Sequence, residues 1–288
     1  MKWLNPNDTT RNTQDRRGSS GGRGLAFGGI GTIIAVIIAL LLGQNPLSFL
    51  GMADQVAPTE QTDVATTKEE LAKTPAALHA NRTFNSANDI WTQVFTNQLN
   101  RQYQEPTFVL FDGATSTACG QGSSASGPFY CPADGGVYID LAFFNELARR
   151  FNAPGDLAQS YVVAHEVGHH VQNLLGITRQ LDAARRRLSQ EQYNQLSVKL
   201  ELQADFLAGL WTHYAEKNGT IGLEPGDIEA ALQAANAIGD DNLQKQMQGY
   251  VVPESFTHGS SAQRVYWFKR GYQSGDLSQG DTFGGDLN

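Results

Sequence analysis

Two histidines, His165 and His169, are separated by four positions in "SYVVAHEVGHHVQNLLG" (residues 160–176), and Glu166 lies between them. On an α-helix four residues turn through about 400°, so both imidazole rings lie on one face, one turn apart. Imidazole nitrogens bind zinc at about 2.0–2.1 Å, and such a pair can close on one ion. Glu166 is placed to take a proton from metal-activated water, as the carboxylate of an H-E-x-x-H motif does. The spacing therefore predicts a catalytic zinc site on a helix.

The alternative for this segment is a core helix that matches the motif by chance, since valine and leucine flank it on both sides. Two histidines and a glutamate would be costly to bury among such residues without a function, which favours the metal site. His170 follows His169 directly and points about 100° away on a helix, so we expect it to support the site or lie at the surface.

A zinc hydrolase needs a third protein ligand and one open position. The metzincin pattern fails, because Leu175 occupies its third histidine position and Gln172 its glycine position. The better candidates lie in "LELQADFLAG", where Glu201 and Asp205 share a helical face among apolar neighbours. We expect Glu201 to be the third ligand and Asp205 to accept the second N–H of a ligand histidine. The alternative is an ordinary surface pair, which charge repulsion disfavours.

The zinc helix and the following "ELQADFLAGLW" resemble the gluzincin arrangement of two histidines on one helix and a glutamate on the next. Together with "GPFYCPADGGVYIDLAFF" and "VPESFTHGSSAQRVYWFKRGYQSGD", they also resemble the neutral zinc metallopeptidase family of bacteria. An N-terminal "MKW" and a "DRRG" before one apolar run fit the same family. The resemblance covers nearly the whole chain and implies an α+β, mainly helical, zincin-like catalytic domain with Zn²⁺ as cofactor.

A further donor is expected for the negative charge that develops on the substrate oxygen, and His258 and Arg264 in "SFTHGSSAQRV" are the candidates. The segment is similar to the Thr-His-Pro segment with a downstream arginine in prenyl-protease-like membrane zinc peptidases, although Gly259 replaces the proline. We expect His258 or Arg264 to face the zinc cleft. The alternative is that His258 caps a helix and Arg264 pairs with a surface acid.

Residues 24–43 form an uncharged run about 20 residues long, the length that spans a bilayer. The alternatives are a buried core helix, or a cleaved signal peptide with an unusually long apolar part. We expect an uncleaved transmembrane anchor. Residues 1–23 contain five basic and two acidic side chains, and acidic residues follow the run. The positive-inside rule then predicts a cytoplasmic N-terminus and a catalytic domain outside the bacterial inner membrane.

The chain has 288 residues and a net charge of −8, and most of the acidic residues follow residue 23. Such an acidic body argues against nucleic acid as a partner. The two cysteines, Cys119 and Cys131, flank a Gly/Ser-rich loop and would form a disulfide in an oxidising compartment. The alternatives are two free thiols or, given the wide spacing, a less favoured zinc pair.

Composition divides the chain into a basic N-terminus (1–23), the anchor (24–43), a tether (44–83), a zinc metallopeptidase domain (84–273) and an irregular tail (274–288). Within the domain, "TFVLF" and "GGVYID" are predicted strands, and long helices carry residues 165 and 201. "GGVYID" is the strand expected to pair with an extended substrate.

These features together predict a membrane-anchored zinc endopeptidase whose substrate is a protein or peptide. One alternative is an anchored binding module without catalysis, which an intact Glu166 disfavours. Another is a zinc hydrolase of a non-peptide amide, such as a cell-wall bond.

Overall fold

The computed structural model describes residues 1–18 and 66–284, and within them helices dominate over a small sheet, which confirms the α+β class. The helices are α1 (Lys68–Ala72), α2 (Pro75–Leu99), α3 (Ala142–Arg149), α4 (Asp156–Leu174), α5 (Ile177–Arg185), α6 (Gln190–Lys217), α7 (Asp227–Ala237), α8 (Asp240–Gln248) and α9 (Ser261–Ser274). The strands are β1 (Lys2–Trp3), β2 (Thr13–Asp15), β3 (Thr107–Phe111), β4 (Ala114–Thr117), β5 (Gly120–Ser123), β6 (Phe129–Cys131), β7 (Gly136–Asp140) and β8 (Ile221–Gly222).

The main sheet has four strands in the order β2-β3-β7-β6. Strands β2, β3 and β7 run parallel, and β6 pairs with β7 in the antiparallel sense. The strand "GGVYID" that was expected to pair with substrate is β7, which is bonded on both sides by β3 and β6. Residues 136–138 are paired on both sides, so the expectation is wrong for this part of β7, whereas Ile139 and Asp140 pair with β3 alone. The edge of the sheet on this side is formed by β6.

The two faces of the sheet pack against different partners. Phe108, Leu110, Val137 and Ile139 belong to the main core formed with the helices. The alternate residues on β3 and β7 form a second cluster with the two cysteines and Phe129. Successive residues of a strand point to opposite faces of the sheet. Because both sets are apolar here, one face packs on the helices and the other lies under the β4–β5 hairpin.

Close contacts between glycines and backbone set how the site-bearing helices cross. A Cβ on Gly168 of α4 would lie 3.3 Å from the Ala204 carbonyl oxygen of α6. A Cβ on Gly209 of α6 would lie 2.1 Å from the Phe268 oxygen of α9, and one on Gly271 would lie 2.0 Å from the Phe206 oxygen. The absence of side chains at these points therefore lets α6 approach α4 on one side and α9 on the other.

Residues 1–18 pack against the helices and the main sheet. Strand β1 pairs with β8, and β2 adds to β3 at the edge of the main sheet. Asn85 of α2 donates hydrogen bonds of 2.8 Å to the carbonyls of Asn7 and Thr9, and Asn81 binds Thr9 and Thr13. The sequence placed residues 1–23 and the domain on opposite sides of a membrane, whereas these contacts hold residues 1–18 directly against the domain.

The predicted boundaries at residues 84 and 274 also differ from the structure. Helix α2 begins at Pro75, and α1 precedes it with a capping box at Thr67, so the helical body starts before residue 84. At the other end, Thr282 is buried and donates a hydrogen bond of 2.6 Å to the Lys199 carbonyl of α6. The segments before residue 84 and after residue 274 show no strong periodic pattern of apolar residues in the sequence. Hydrogen bonds to residues distant in the chain hold them in place.

The expected span at residues 24–43 and most of the expected tether lie outside the described residues. Within the ranges 1–18 and 66–284, no helix combines the length and apolar character needed to cross a bilayer.

Cys119 and Cys131 form the predicted disulfide. It joins the turn after β4 to the end of β6, and Cys131 is fully buried in the second apolar cluster. The bond therefore fixes the β4–β5 hairpin over the outer face of the sheet.

We predict that Asn85→Ala lowers the melting temperature and exposes residues 1–18 to limited proteolysis. The substitution leaves the partly buried Asn7 carbonyl without this hydrogen bond, and the cost is therefore below the roughly 1–3 kcal/mol of a fully buried group. Asn97→Ala, on the exposed side of the same helix, is the matched control and should behave as wild type. Equal melting temperatures and cleavage rates for the two variants would contradict docking of the N-terminal segment.

Candidate metal centre

The site is built where α4 and α6 cross. Helix α4 is buried along most of its length and presents His165 and His169 from consecutive turns, with their ring centroids 4.8 Å apart. Helix α6 begins with a Ser189–Gln192 capping box and presents Glu201 and Asp205 from consecutive turns. The i, i+4 spacing on each helix thus turns two residue pairs toward one point.

The ligand atoms of His165, His169 and Glu201 all lie within 4.8 Å of one another. Glu201 Oε2 is 3.2 Å from His165 Nε2, and Glu201 Oε1 is 3.6 Å from His169 Nε2. Donors bound tetrahedrally to zinc at about 2.0–2.1 Å are separated by about 3.3 Å, so these spacings suit one zinc ion. Two imidazoles and one carboxylate also form the donor set of a catalytic zinc site that keeps an open position.

Asp205 lies one helical turn after Glu201 on α6 and is completely buried. Its Oδ1 lies 3.0 Å from His165 Nδ1, the contact that the sequence predicted for it. It also accepts hydrogen bonds from the Tyr161 hydroxyl and from two nitrogens of Arg264, at 2.8 and 2.9 Å. Because Nδ1 of His165 is occupied by Asp205, its Nε2 is left to face Glu201.

The electrostatics of the cluster favour a cation. Burial disfavours a charged His165, but hydrogen bonds to Asp205 and Glu201 outweigh it and raise the pKa of His165 to about 10. Burial likewise opposes ionisation of Glu201, yet the charge of His169 and the His165 hydrogen bond hold its pKa well below the usual range. The buried carboxylates therefore create a negative potential at the point where the three ligand atoms meet.

Glu166 is buried next to the ligands on α4 and is not part of the three-residue cluster. Burial raises the pKa of its carboxyl above the ordinary glutamate value. A carboxylate with a raised pKa accepts a proton more readily near neutral pH, which suits the role of general base.

His258 lies on the loop before α9 and is held by Asp240. Asp240 Oδ2 accepts the backbone N–H groups of residues 257–259, and its Oδ1 is 3.2 Å from His258 Nδ1. Burial disfavours the charged ring, but the attraction of Asp240 and its hydrogen bond raise the pKa of His258. The negative charge of Glu201 acts in the same direction. Gly259, the next residue, lies against Val198 and Leu202 of α6.

Arg264 does not have the environment expected of a group that contacts substrate. It is 1% exposed and its guanidinium binds Asp205, with a further 3.2 Å hydrogen bond to the Tyr161 hydroxyl. Burial opposes its charge, but Asp205 keeps its pKa well above the ordinary arginine value. The expectation that Arg264 stabilises the reacting oxygen is therefore corrected: its donors are directed to the carboxylate that orients His165.

The sequence did not identify Gln172 as a partner of a ligand or Tyr130 as a partner of His170. Gln172 Oε1 is 2.9 Å from His169 Nδ1, one helical turn along α4. Tyr130 of β6 lies 3.1 Å from Nδ1 of His170, whose Nε2 is 2.7 Å from the Gln104 carbonyl. His170 thus fastens the sheet edge to α4 and points away from the metal ligands. The i, i+3 spacing of His169 and Gln172 was the available signal for the first contact.

Similarity to known proteins identifies the family of the chain. A family model described as "Putative neutral zinc metallopeptidase" matches residues 1–283, and the chain belongs to this family. It is 45% identical over 293 residues to the uncharacterized protein YpfJ of Escherichia coli (strain K12), with 99% of each chain covered. It is 40% identical over 262 residues to the uncharacterized protein Rv2575 of Mycobacterium tuberculosis (strain H37Rv), with 85% of each covered. No solved structure shows a significant match.

We predict that Arg264→Met lowers both thermal stability and zinc content. The variant leaves Asp205 buried without its cation, a loss of about 3–5 kcal/mol for a broken buried pair. Lys269→Met, exposed on the same helix, is the control and should match wild type in calorimetry and in zinc content by atomic spectroscopy. A stable, zinc-replete Arg264→Met protein that has lost only turnover would instead support the oxyanion role.

Proposed function

We propose that the protein is a zinc-dependent endopeptidase. The observation that carries the proposal is the separation of roles on α4: His165 and His169 converge with Glu201, while Glu166 lies beside them and outside the cluster. A purely structural zinc site is closed by four protein ligands and needs no base, whereas a hydrolytic site has three ligands and a nearby carboxylate.

When bound, zinc lowers the pKa of water and polarises the scissile carbonyl. The residues of the chain perform the remaining tasks. Asp205 and Arg264 keep His165 in place, and Glu201 is held between the two imidazoles. Glu166 takes the proton of the attacking water on its carboxylate and returns it to the leaving amine nitrogen.

His258 is the residue that we propose as donor to the substrate oxygen as it gains charge. Asp240 raises the pKa of His258 and faces Nδ1, so the charged form of the ring presents its second proton on Nε2, where it can be donated. A fixed, charged donor in a site of low polarity stabilises a developing oxyanion more strongly than water does.

We further propose that an extended peptide binds along the edge of β6 (Phe129–Cys131). This strand lies at the edge of the main sheet in the described part of the chain, and Tyr130 connects it to α4 through His170 and Asn173. A peptide that adds to a sheet edge is recognised mainly through its backbone, with side-chain pockets adding selectivity.

Hydrolysis of a non-peptide amide is the second candidate, because the same residues attack any polarised amide carbonyl. Screening the purified protein against peptide libraries and peptidoglycan fragments distinguishes the two. We expect cleavage of peptides that extend on both sides of the scissile bond. Turnover of peptidoglycan fragments without any turnover of peptides would overturn the peptidase proposal.

A membrane location is also a proposal. The apolar run at residues 24–43 supports attachment to the bacterial inner membrane. The Cys119–Cys131 disulfide supports a domain on the oxidising, extracytoplasmic side. Because residues 1–18 pack on the domain, a run that crossed the bilayer once would place the two on opposite sides, so the proposal is limited to attachment on the side that holds both.

We predict that Glu166→Gln keeps zinc and abolishes hydrolysis, whereas His169→Ala loses both. The glutamine retains the shape of Glu166 but cannot accept a proton, while the alanine removes a ligand. Zinc content and peptide turnover are measured on the same preparations. If Glu166→Gln loses as much zinc as His169→Ala, Glu166 is a ligand and the assignment of roles fails.

We also predict that Asp240→Asn moves the alkaline limb of the kcat/KM profile to lower pH. Activity needs protonated His258, so it falls as pH rises through the pKa of His258, and removal of the Asp240 charge lowers that pKa. Glu254→Gln, exposed on the preceding turn, is the charge-matched control. An unchanged alkaline limb in Asp240→Asn would exclude His258 as the titrating donor.

A further inference from the structure

The two ligand histidines are supported by different chemistry. His165 faces the ionised carboxylate of Asp205, whereas His169 faces the neutral side-chain amide of Gln172, at 2.9 Å from Nδ1 to Oε1. Gln172 is completely buried on the side of α4 that faces α6. A buried amide must satisfy its donors and its acceptor, so its neighbours determine which end faces His169.

Those neighbours fix the direction of the amide. Nε2 of Gln172 lies 2.7 Å from the Leu200 carbonyl oxygen and 3.1 Å from Oε1 of Gln203. A carbonyl can only accept, so the Gln172 nitrogen must face α6 and its oxygen must face His169.

The direction of Gln203 is fixed in turn by the C-terminal segment. Nε2 of Gln203 donates a hydrogen bond of 2.9 Å to the Gly280 carbonyl, which leaves its oxygen toward Gln172. Gly280 packs on Phe206 so closely that a Cβ would lie 2.5 Å from the ring. Thr282 holds the same segment through its bond to the Lys199 carbonyl. Gly280, Gln203, Gln172 and His169 thus form a chain of hydrogen bonds, here called the relay. It starts from a backbone carbonyl, which can only accept, so the direction of its bonds is fixed.

We propose that Gln172 is a positioning residue for the metal centre, and that the relay from Gly280 through Gln203 and Gln172 fixes the tautomer of His169. An acceptor at Oε1 requires the proton of His169 on Nδ1, which leaves the lone pair of Nε2 on the Glu201 side. The proposal rests on zinc ligation by His169. It also assigns a role to the segment after α9, because the Gly280 carbonyl is connected to His169 through Gln203 and Gln172.

Nitrogen NMR on the metal-free protein tests the tautomer directly. In spectra recorded above the pH at which His169 is observed to lose its second ring proton, wild-type His169 is expected to carry the remaining proton on Nδ1. The His169 signal is assigned by its loss in His169→Gln. Gln172→Met has nearly the same volume but no acceptor, and should populate both tautomers. A wild-type His169 protonated on Nε2 would overturn the relay, and this measurement needs no variant of Gln172 to fold.

Zinc affinity supplies the second measurement, by competition with a chelator at fixed pH. Loss of a group that orients a ligand histidine weakens metal binding by about 10–100-fold, and Gln172→Met should fall in this range. Gln203→Met should show a smaller loss, because Leu200 still orients Gln172. Gln159→Met on the same helix is the matched control, with wild-type affinity.

The outcomes separate this proposal from the proposed function. A Gln172→Met affinity within twofold of wild type would overturn the positioning role, even if the protein is an active peptidase. Wild-type protein that binds no zinc would overturn the metal assignment, whereas its metal-free tautomer would still show whether the amide relay orders His169.

Discussion

The buried carboxylate of Asp205 is the interaction on which the rest of the site depends. It collects hydrogen bonds from Tyr161 and His165 on α4 and from Arg264 on α9, while belonging itself to α6. A buried charge is tolerated only when it is paired and hydrogen-bonded, so three helices must assemble around this one group. The same contact orients His165, so the packing of these three helices also positions a ligand of the candidate metal centre.

Close helix packing makes that assembly possible. The glycine between the two ligand histidines, Gly168, brings α6 against α4, and the Gly209–Gly271 contact brings α9 against α6. A side chain at Gly209 or Gly271 would meet backbone at about 2 Å and push α6 and α9 apart, whereas one at Gly168 would be only tightly packed. The helix crossing, rather than any flexible loop, therefore sets the spacing between the donors of His165 and Glu201.

The termini of the described chain complete the domain instead of extending from it. The N-terminal strands add to the sheet and to β8, and the segment after α9 packs along α6. Both lie far in sequence from the residues they contact, and both are ordered by hydrogen bonds to buried polar groups such as Asn85 and Gln203. The domain thus reaches its full set of polar contacts only when both segments are in place.

The sequence by itself determined what depends on local periodicity. Helical spacing identified His165, Glu166, His169, Glu201 and Asp205. Strand patterns identified two strands of the sheet, and the loop between Cys119 and Cys131 indicated their disulfide. The tertiary structure decided what depends on partners distant in the chain. It assigned Arg264 to Asp205 rather than to substrate, gave His258 its partner Asp240, enclosed β7 between two strands and connected Gln172 to the C-terminal segment. Spacing fixes which side chains share a helical face, whereas the direction of a hydrogen bond between helices depends on how they cross, and no local pattern contains that information.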